Sequence, residues 1–277
     1  MKKKNVVILI RVYNRIEDLE CNLEIIRKTW SRNDYSIVVV SNGVKDGYEI
    51  TTKINQYSDN VIILGSNIGH LNGNSQLLLE GCSNISFQRF DYVIILEADT
   101  WIYTDTIINK YITKLDVSDK VWASARWYDR YYSLATDFAI IKSSFLENHI
   151  NIFNFGKFPE CFVANYLFKR GYGYIWIKEN QNVMTPSYIK SFPFAPFGRF
   201  YCFPKSQMVT HHIEHLPNGM ITKKQHFNCI CGIDFFNVDT KRKKFNRLLM
   251  KLSHMIDSFL LRRSWYSRRE YLNEDCR

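Results

Sequence analysis

An apolar run at residues 6–12, broken only by Arg11 and rich in β-branched side chains, predicts a strand buried on both faces. Ile16, Leu19, Leu23, Ile26 and Trp30 follow at steps of three and four, the spacing of a helix with one apolar side. The pattern then repeats. Residues 36–40 read as a second buried strand closed by the turn signal Ser41-Asn42-Gly43, and a polar helical stretch leads to a third strand at 61–64. An Asn- and Gly-rich turn at 67–74 precedes a helix carrying Leu77, Leu78 and Leu79, and 92–96 is a fourth strand, apolar throughout.

Four strands alternate with three helices, which predicts a doubly wound α/β fold with a mostly parallel sheet flanked by helices. Ligands of such sheets gather beyond the carboxyl ends of the strands. The polar residues just past those ends, Asn14, Asn42, Asn67, Glu97 and Asp99, are therefore expected on one rim. The second half is less regular. Residues 121–127 and 138–141 are expected as strands, 162–168 as a helix stopped at Gly171, and 174–177 as a strand. Four prolines and five phenylalanines at 184–204 predict an irregular loop.

Beyond that loop the pattern turns helical again. Phe245, Leu248, Leu249, Leu252, Met255, Ile256, Phe259 and Leu260 recur at helical spacing, and residues 241–270 hold ten lysines and arginines against two acids. The chain thus divides into a domain of residues 1–235 and a basic amphipathic helical tail of 236–277. The net charge of +10 resides mostly in the tail, so the expected partner is an anionic membrane surface met by residues 241–270, not nucleic acid. A helix packed on the domain with a solvated basic end is the alternative. No run reaches the roughly 20 apolar residues that span a bilayer, and the first apolar run is too short for a secretory signal. The expected compartment is the cytoplasm, at the inner face of the plasma membrane, with the seven cysteines as reduced thiols.

Candidate chemistry centres on Leu96-Glu97-Ala98-Asp99-Thr100. In extended chain, residues i and i+2 share a side, so Glu97 and Asp99 would present two carboxylates together. Two acids at the mouth of an apolar strand need a cation, and Mg²⁺ or Mn²⁺ bridging to a diphosphate supplies one; a solvated strand end is the alternative. Farther along, Phe158-Pro159-Glu160-Cys161 stands before a helix, and His211-His212-Ile213-Glu214-His215 is a second dense polar cluster. His226, Cys229 and Cys231 also allow a zinc reading, although Cys-x-Cys is not the usual structural-zinc spacing.

Four segments together resemble a GT-A glycosyltransferase, in particular the large inverting group of the bacterial family 2 type. Arg11-Val12-Tyr13-Asn14-Arg15 is similar to that family's Thr-Tyr-Asn-Arg opening, and Asn42-Gly43 stands where it has Asp-Asn-Gly. Asn67-Ile68-Gly69 with Gly73-Asn74 is similar to its Asn-x-Gly…Gly-x-Asn segment, and Glu97-Ala98-Asp99 occupies the place of its Asp-x-Asp. The resemblance covers residues 5–180. It implies a nucleoside diphosphate sugar donor held by Arg11, Asn14, Asn42, Asn67, Gly69, Asn74 and Glu97, with a divalent metal at Asp99, Glu97 and His212. Glu160 would be the catalytic base, with Asp137 the alternative acid; a Glu placed there to favour the helix dipole is the bland reading. Ser41 stands where an acid often contacts the base, and Glu97 replaces an Asp. The implied activity is transfer of a hexose-type sugar to a glycan or lipid-linked acceptor in cell-surface polysaccharide or lipopolysaccharide assembly. A nucleotidyltransferase of related fold is a rival, although residues 11–15 lack the glycines of its phosphate loop. A non-catalytic, membrane-associated sugar- or nucleotide-binding protein is another.

Overall fold

The computed structural model describes residues 3–127, 132–180, 200–211 and 219–238, together with Phe245, Leu248, Leu249 and Leu252. His212, His215 and most of the expected tail therefore lie outside the described residues. The first half follows the hydrophobic pattern closely: strand β1 (Asn5–Val12), helix α1 (Ile16–Thr29), strand β2 (Asp34–Ser41), helix α2 (Thr52–Tyr57), strand β3 (Asn60–Ile63), helix α3 (His70–Ser83) and strand β4 (Tyr92–Glu97). Then come strand β5 (Trp101–Ile102), helix α4 (Thr106–Asp116), strands β6 (Trp122–Ser124) and β7 (Phe138–Lys142), helices α5 (Ser143–His149) and α6 (Pro159–Lys169), and strand β8 (Tyr174–Trp176). Strands β9 (Tyr201–Phe203) and β10 (Met208–Thr210) precede helix α7 (Gly219–Cys231).

Seven strands form the main sheet in the order β3-β2-β1-β4-β7-β6-β8. The chain winds outward from β1 to β3, returns through α3, and restarts on the other side of β1 with β4. Both neighbours of β1 run parallel to it, so the crevice between the ends of β1 and β4 is the switch point where doubly wound sheets take ligands. The sheet is parallel except at β7, which runs antiparallel to both β4 and β6. Its amino end consequently joins the same rim.

Side chains of β1 alternate between two cores. Val6, Ile8, Ile10 and Val12 pack with Leu19, Leu23 and Ile26 of α1 and with Ile108 and Ile112 of α4. Val7 and Leu9 pack with Leu77 and Leu78 of α3 and with Val163 and Leu167 of α6. Two-sided burial explains why this strand reads as one unbroken apolar run. Helix α4, not identified from the sequence, buries Ile107, Ile108, Tyr111, Ile112 and Leu115, a helical stripe in its own right.

The second half corrects two expectations. The strand expected over 121–127 is only three residues long. Within the segment expected as loop, Tyr201–Phe203 pairs antiparallel with β10, which pairs in turn with β5. This small sheet covers a third core of Cys21, Ile25, Trp101, Phe200, Val209 and Phe227. No helix of the described residues is long and apolar enough to cross a membrane.

Close approach of the loops after β1 and β2 depends on Gly43. Its φ of −100° is ordinary, so the demand is for space. A Cβ there would lie 2.1 Å from the Tyr13 carbonyl oxygen. Gly43→Ala is accordingly expected to lower stability by about 1–3 kcal/mol, the scale of forcing atoms into a filled space. Urea unfolding measures it, and an unchanged midpoint would mean that the two loops part freely.

Candidate functional site

At the switch point the strand register itself sets two charges side by side. Arg11 of β1 lies opposite Glu97 of β4. The Arg11 guanidinium is buried, and its Nη2 donates to Glu97 Oε1 at 2.6 Å and to the Thr136 carbonyl at 2.6 Å. Arg11, read from the sequence as a nucleotide contact, thus serves first as the counter-charge of Glu97. Its Nη1 is buried with no hydrogen-bond partner among the described residues.

Past Glu97 the strand ends in a turn, closed by the Thr100 N–H donating to the Glu97 carbonyl at 3.0 Å. Glu97 and Asp99 therefore converge through a turn, not through the alternation of an extended chain. A third group arrives from the small sheet. The register pairs Met208 with Ile102 and Val209 with Trp101. Continued one step, it sets Thr210 beside Thr100, where their hydroxyls lie 2.7 Å apart, and next brings His211 to Asp99. His211 adopts a left-handed backbone conformation (φ 65°), sparsely populated for a residue with a Cβ. Its Nδ1 lies 3.7 Å from Glu97 Oε2 and 4.0 Å from Asp99 Oδ2.

Those separations are too long for hydrogen bonds, yet ligand atoms of Glu97, Asp99 and His211 all lie within 4.8 Å of one another. Oxygen and nitrogen ligands about 2.1 Å from one octahedral cation stand roughly 3 Å apart when adjacent and about 4.2 Å apart when opposite. The His211 separations of 3.7 and 4.0 Å fall between these limits. Two carboxylates and one imidazole also suit a hard or borderline divalent cation. Nε2 of His211 is buried with no partner among the described residues. The sequence pointed to His212 for this role; of that cluster, His211 is the member within the described residues. The residues of the zinc reading form no such group there: His226 packs edge-on against Phe200, and Cys229 and Cys231 are buried.

Two further acids feel the charge of Glu97. Asp137, just before β7, is buried; Oδ1 accepts the Phe138 N–H at 2.9 Å and Oδ2 accepts the Thr210 hydroxyl at 3.1 Å. Burial, reinforced by Glu97, pushes its carboxyl up to about 6. Glu160 occupies the first turn of α6, behind Pro159 and a left-handed Phe158 (φ 48°). Burial first, then the charges of Glu97 and Asp137, push the Glu160 carboxyl up to about 7. A helix start alone would lower it, so burial, with the neighbouring acids adding to it, outweighs the dipole. Burial likewise raises Asp99, against the opposing pull of Lys223 and His211.

The expected asparagine rim forms a separate group beside β2. Asn42 Nδ2 donates to Asn67 Oδ1 at 3.2 Å and to the Gly73 carbonyl at 3.4 Å, while Asn67 Oδ1 also accepts the Gly69 N–H at 3.1 Å. Gly69 takes φ 101° to open α3, a conformation that favours glycine. Oδ1 of Asn42 and of Asn74 are buried with no partner among the described residues, so this face retains unused acceptors. Asn14 is exposed. Reading the sequence missed Asn22, Thr210 and Lys223. Asn22 had a signal, a polar residue on the inner arc of α1, whereas nothing distinguishes Lys223 from its neighbour Lys224.

No protein-family model and no curated protein matches the chain. Solved structures do. A mannosyltransferase from Pyrobaculum calidifontis, in complex with GDP-Man and Mn²⁺, superposes with a TM-score of 0.51 at 11% identity, covering 98% of this chain and 77% of that one. Mouse xyloside xylosyltransferase 1 gives 0.45 at 7% identity over 70% of this chain and 91% of its own. Glucosyl-3-phosphoglycerate synthase from Mycobacterium tuberculosis gives 0.45 at 9% identity, over 63% and 70% respectively. The first match establishes a shared fold, the GT-A type anticipated from the sequence.

The raised Glu160 carboxyl has a measurable consequence in metal-free protein. Its native value of about 7 lies above the ordinary 4.5, so between these pH values the native state binds more protons than the unfolded chain. Stability then falls as pH rises through that window. Glu160→Gln removes this contribution and flattens the fall, leaving a smaller slope of the same sign from Asp137. Urea unfolding at pH 5 and pH 7 with chelator checks it; an identical slope in the variant would refute the placement of Glu160 among the acids.

Proposed function

We propose that the chain is a metal-dependent glycosyltransferase that moves a sugar from a nucleoside diphosphate donor to a glycan or lipid-linked glycan acceptor, with inversion, during cell-surface polysaccharide or lipopolysaccharide assembly. The observation that carries this reading is the convergence of Glu97, Asp99 and His211 at the switch-point rim, with Glu160 near enough to feel the charges of Glu97, Asp137 and Arg11. The shared fold adds support, since the mannosyltransferase was solved with GDP-Man and Mn²⁺. Asp99, His211 and the Glu97 oxygen not taken by Arg11 would hold the cation. When bound, it supplies Lewis-acid stabilisation of the departing diphosphate. Arg11 supplies a counter-charge to Glu97 at this half-buried strand end. Asn42, Asn67 and Asn74 offer the nucleotide hydrogen bonds from the β2 side of the rim.

Inversion follows from a single displacement. An acceptor hydroxyl oxygen forms a bond to the anomeric carbon, the carbon–oxygen bond to the diphosphate breaks, and the hydroxyl proton goes to Glu160. A carboxyl near 7 is matched to that task at neutral pH. Asp137 is less suited, because both of its oxygens already accept hydrogen bonds.

Substitution tests the two roles separately. Asp99→Asn should abolish Mn²⁺-dependent binding of nucleoside diphosphate in a folded protein. Glu160→Gln should leave donor binding close to wild type and lower turnover by roughly 10²-fold or more, the scale of losing base assistance. Equal Mn²⁺-supported nucleotide affinity in Asp99→Asn would remove the basis of the assignment.

For the tail, the membrane reading is supported by Phe245, Leu248 and Leu252, three members of the apolar stripe that are 55%, 55% and 37% exposed. Cations near an anionic surface each contribute about 1 kcal/mol, and salt screens them over about 10 Å at 0.1 M. Apolar side chains in the acyl boundary would add a part that salt does not remove. Full-length protein should sediment with anionic vesicles and be released only in part by high salt. Replacing Phe245, Leu248 and Leu252 with serine should eliminate the salt-resistant fraction without affecting donor hydrolysis. Persistence of that fraction would count against the stripe as the contact.

A further inference from the structure

Adjacent lysines of α7 have opposite surroundings. Lys224 lies near the surface, paired with Glu17 at 2.8 Å. Lys223 is wholly buried: its ammonium is 2.6 Å from Asp18 Oδ1, 2.6 Å from the Asp99 carbonyl oxygen and 4.2 Å from the centre of the Trp101 ring. A buried ammonium is costly unless paired and fully hydrogen-bonded, and here the acceptors come from α1 and from the turn that carries Asp99. Asn22 of α1 grips the same turn, its Nδ2 lying 3.2 Å from the Glu97 carbonyl, 3.2 Å from that of Ala98 and 2.8 Å from that of Thr100. Each backbone carbonyl from Glu97 to Thr100 therefore accepts from Asn22 or Lys223. The backbone is tied down from behind, while the side chains of Glu97 and Asp99 are left to face His211.

We propose that Lys223, anchored by Asp18, is a positioning residue for the acidic turn: it fixes the Asp99 backbone and thereby the point where the donor atoms of Asp99, Glu97 and His211 meet. The proposal rests on reading that cluster as a divalent cation site. It assigns α7 a part in metal affinity although none of its side chains reaches the cluster. Groups one step behind metal ligands typically change affinity 10- to 100-fold when removed. An ion pair serving only the core would affect stability and leave metal affinity alone.

Titration of chelator-treated full-length protein with Mn²⁺ alone, read by electron paramagnetic resonance, separates these roles. Binding should be present in wild type and lost in Asp99→Asn. Lys223→Met, close in shape but uncharged, should weaken it by about tenfold or more, and Asn22→Ala should shift it the same way. Leu146→Ala, in the core on the opposite face of the sheet, should lower the melting temperature and leave Mn²⁺ affinity at the wild-type value. If Lys223→Met does not fold, Asp18→Asn, which retains an oxygen acceptor and removes the anchoring charge, should weaken Mn²⁺ binding severalfold. Wild-type affinity in folded Lys223→Met, or in Asp18→Asn where that variant is the one read, overturns the proposal. Equal affinity in wild type and Asp99→Asn overturns the cation site itself.

Discussion

Pairing of Arg11 with Glu97 across β1 and β4 is the contact on which the candidate site depends. Both are set by the register of two central strands, and neither can move without shifting the sheet. A carboxylate ending a buried strand pays heavily for lost solvation. A guanidinium one strand away, with a second acceptor at the Thr136 carbonyl, offsets that cost while leaving Oε2 of Glu97 directed to the cluster. The ion pair is therefore better understood as the condition that keeps a charged ligand at this edge than as a source of fold stability.

Around that pair lie Asp99 in the turn after β4, Asp137 before β7 and Glu160 at the start of α6. Burial is the main reason that Asp137 and Glu160 are both driven upward, and neighbouring charge adds to it: Glu97 raises Asp137, and Glu97 and Asp137 raise Glu160. The antiparallel course of β7 matters here. A strand leaving the rim, not arriving at it, contributes Asp137 from its amino end, so the acids converge from both directions of chain travel.

Much of this was legible in the sequence because two-sided burial writes itself as uninterrupted apolar runs. Residues 6–12, 36–40 and 92–96 fall on strands of the main sheet, as does 61–64 but for its last residue, and the end of β4 with the turn after it holds the two acids of the centre. What could not be read is set by three-dimensional pairing. Strands β5, β9 and β10 are two or three residues long, too short for a period to appear. Only the pairing of β10 with β5 determines that His211 faces Asp99. Lys223 looks like any helix-surface cation until Asp18 and the Asp99 carbonyl are seen around it. Helix α4 is different: its stripe of Ile107, Ile108, Tyr111, Ile112 and Leu115 was present in the sequence and was overlooked.

The cluster draws its ligands from two sheets. Glu97 and Asp99 belong to the end of the main sheet, whereas His211 hangs from β10 in the small one. A cation shared among them would act as a clasp, closing a loop of more than a hundred residues between Asp99 and His211. Linkage then works in both directions: a ligand bound only by the closed arrangement stabilises it by RT ln(1 + [L]/Kd), and loosening of the small sheet weakens the ligand's hold by the same free energy. Local opening of β9 and β10, read by hydrogen exchange, would thus report occupancy of a site that neither strand forms alone.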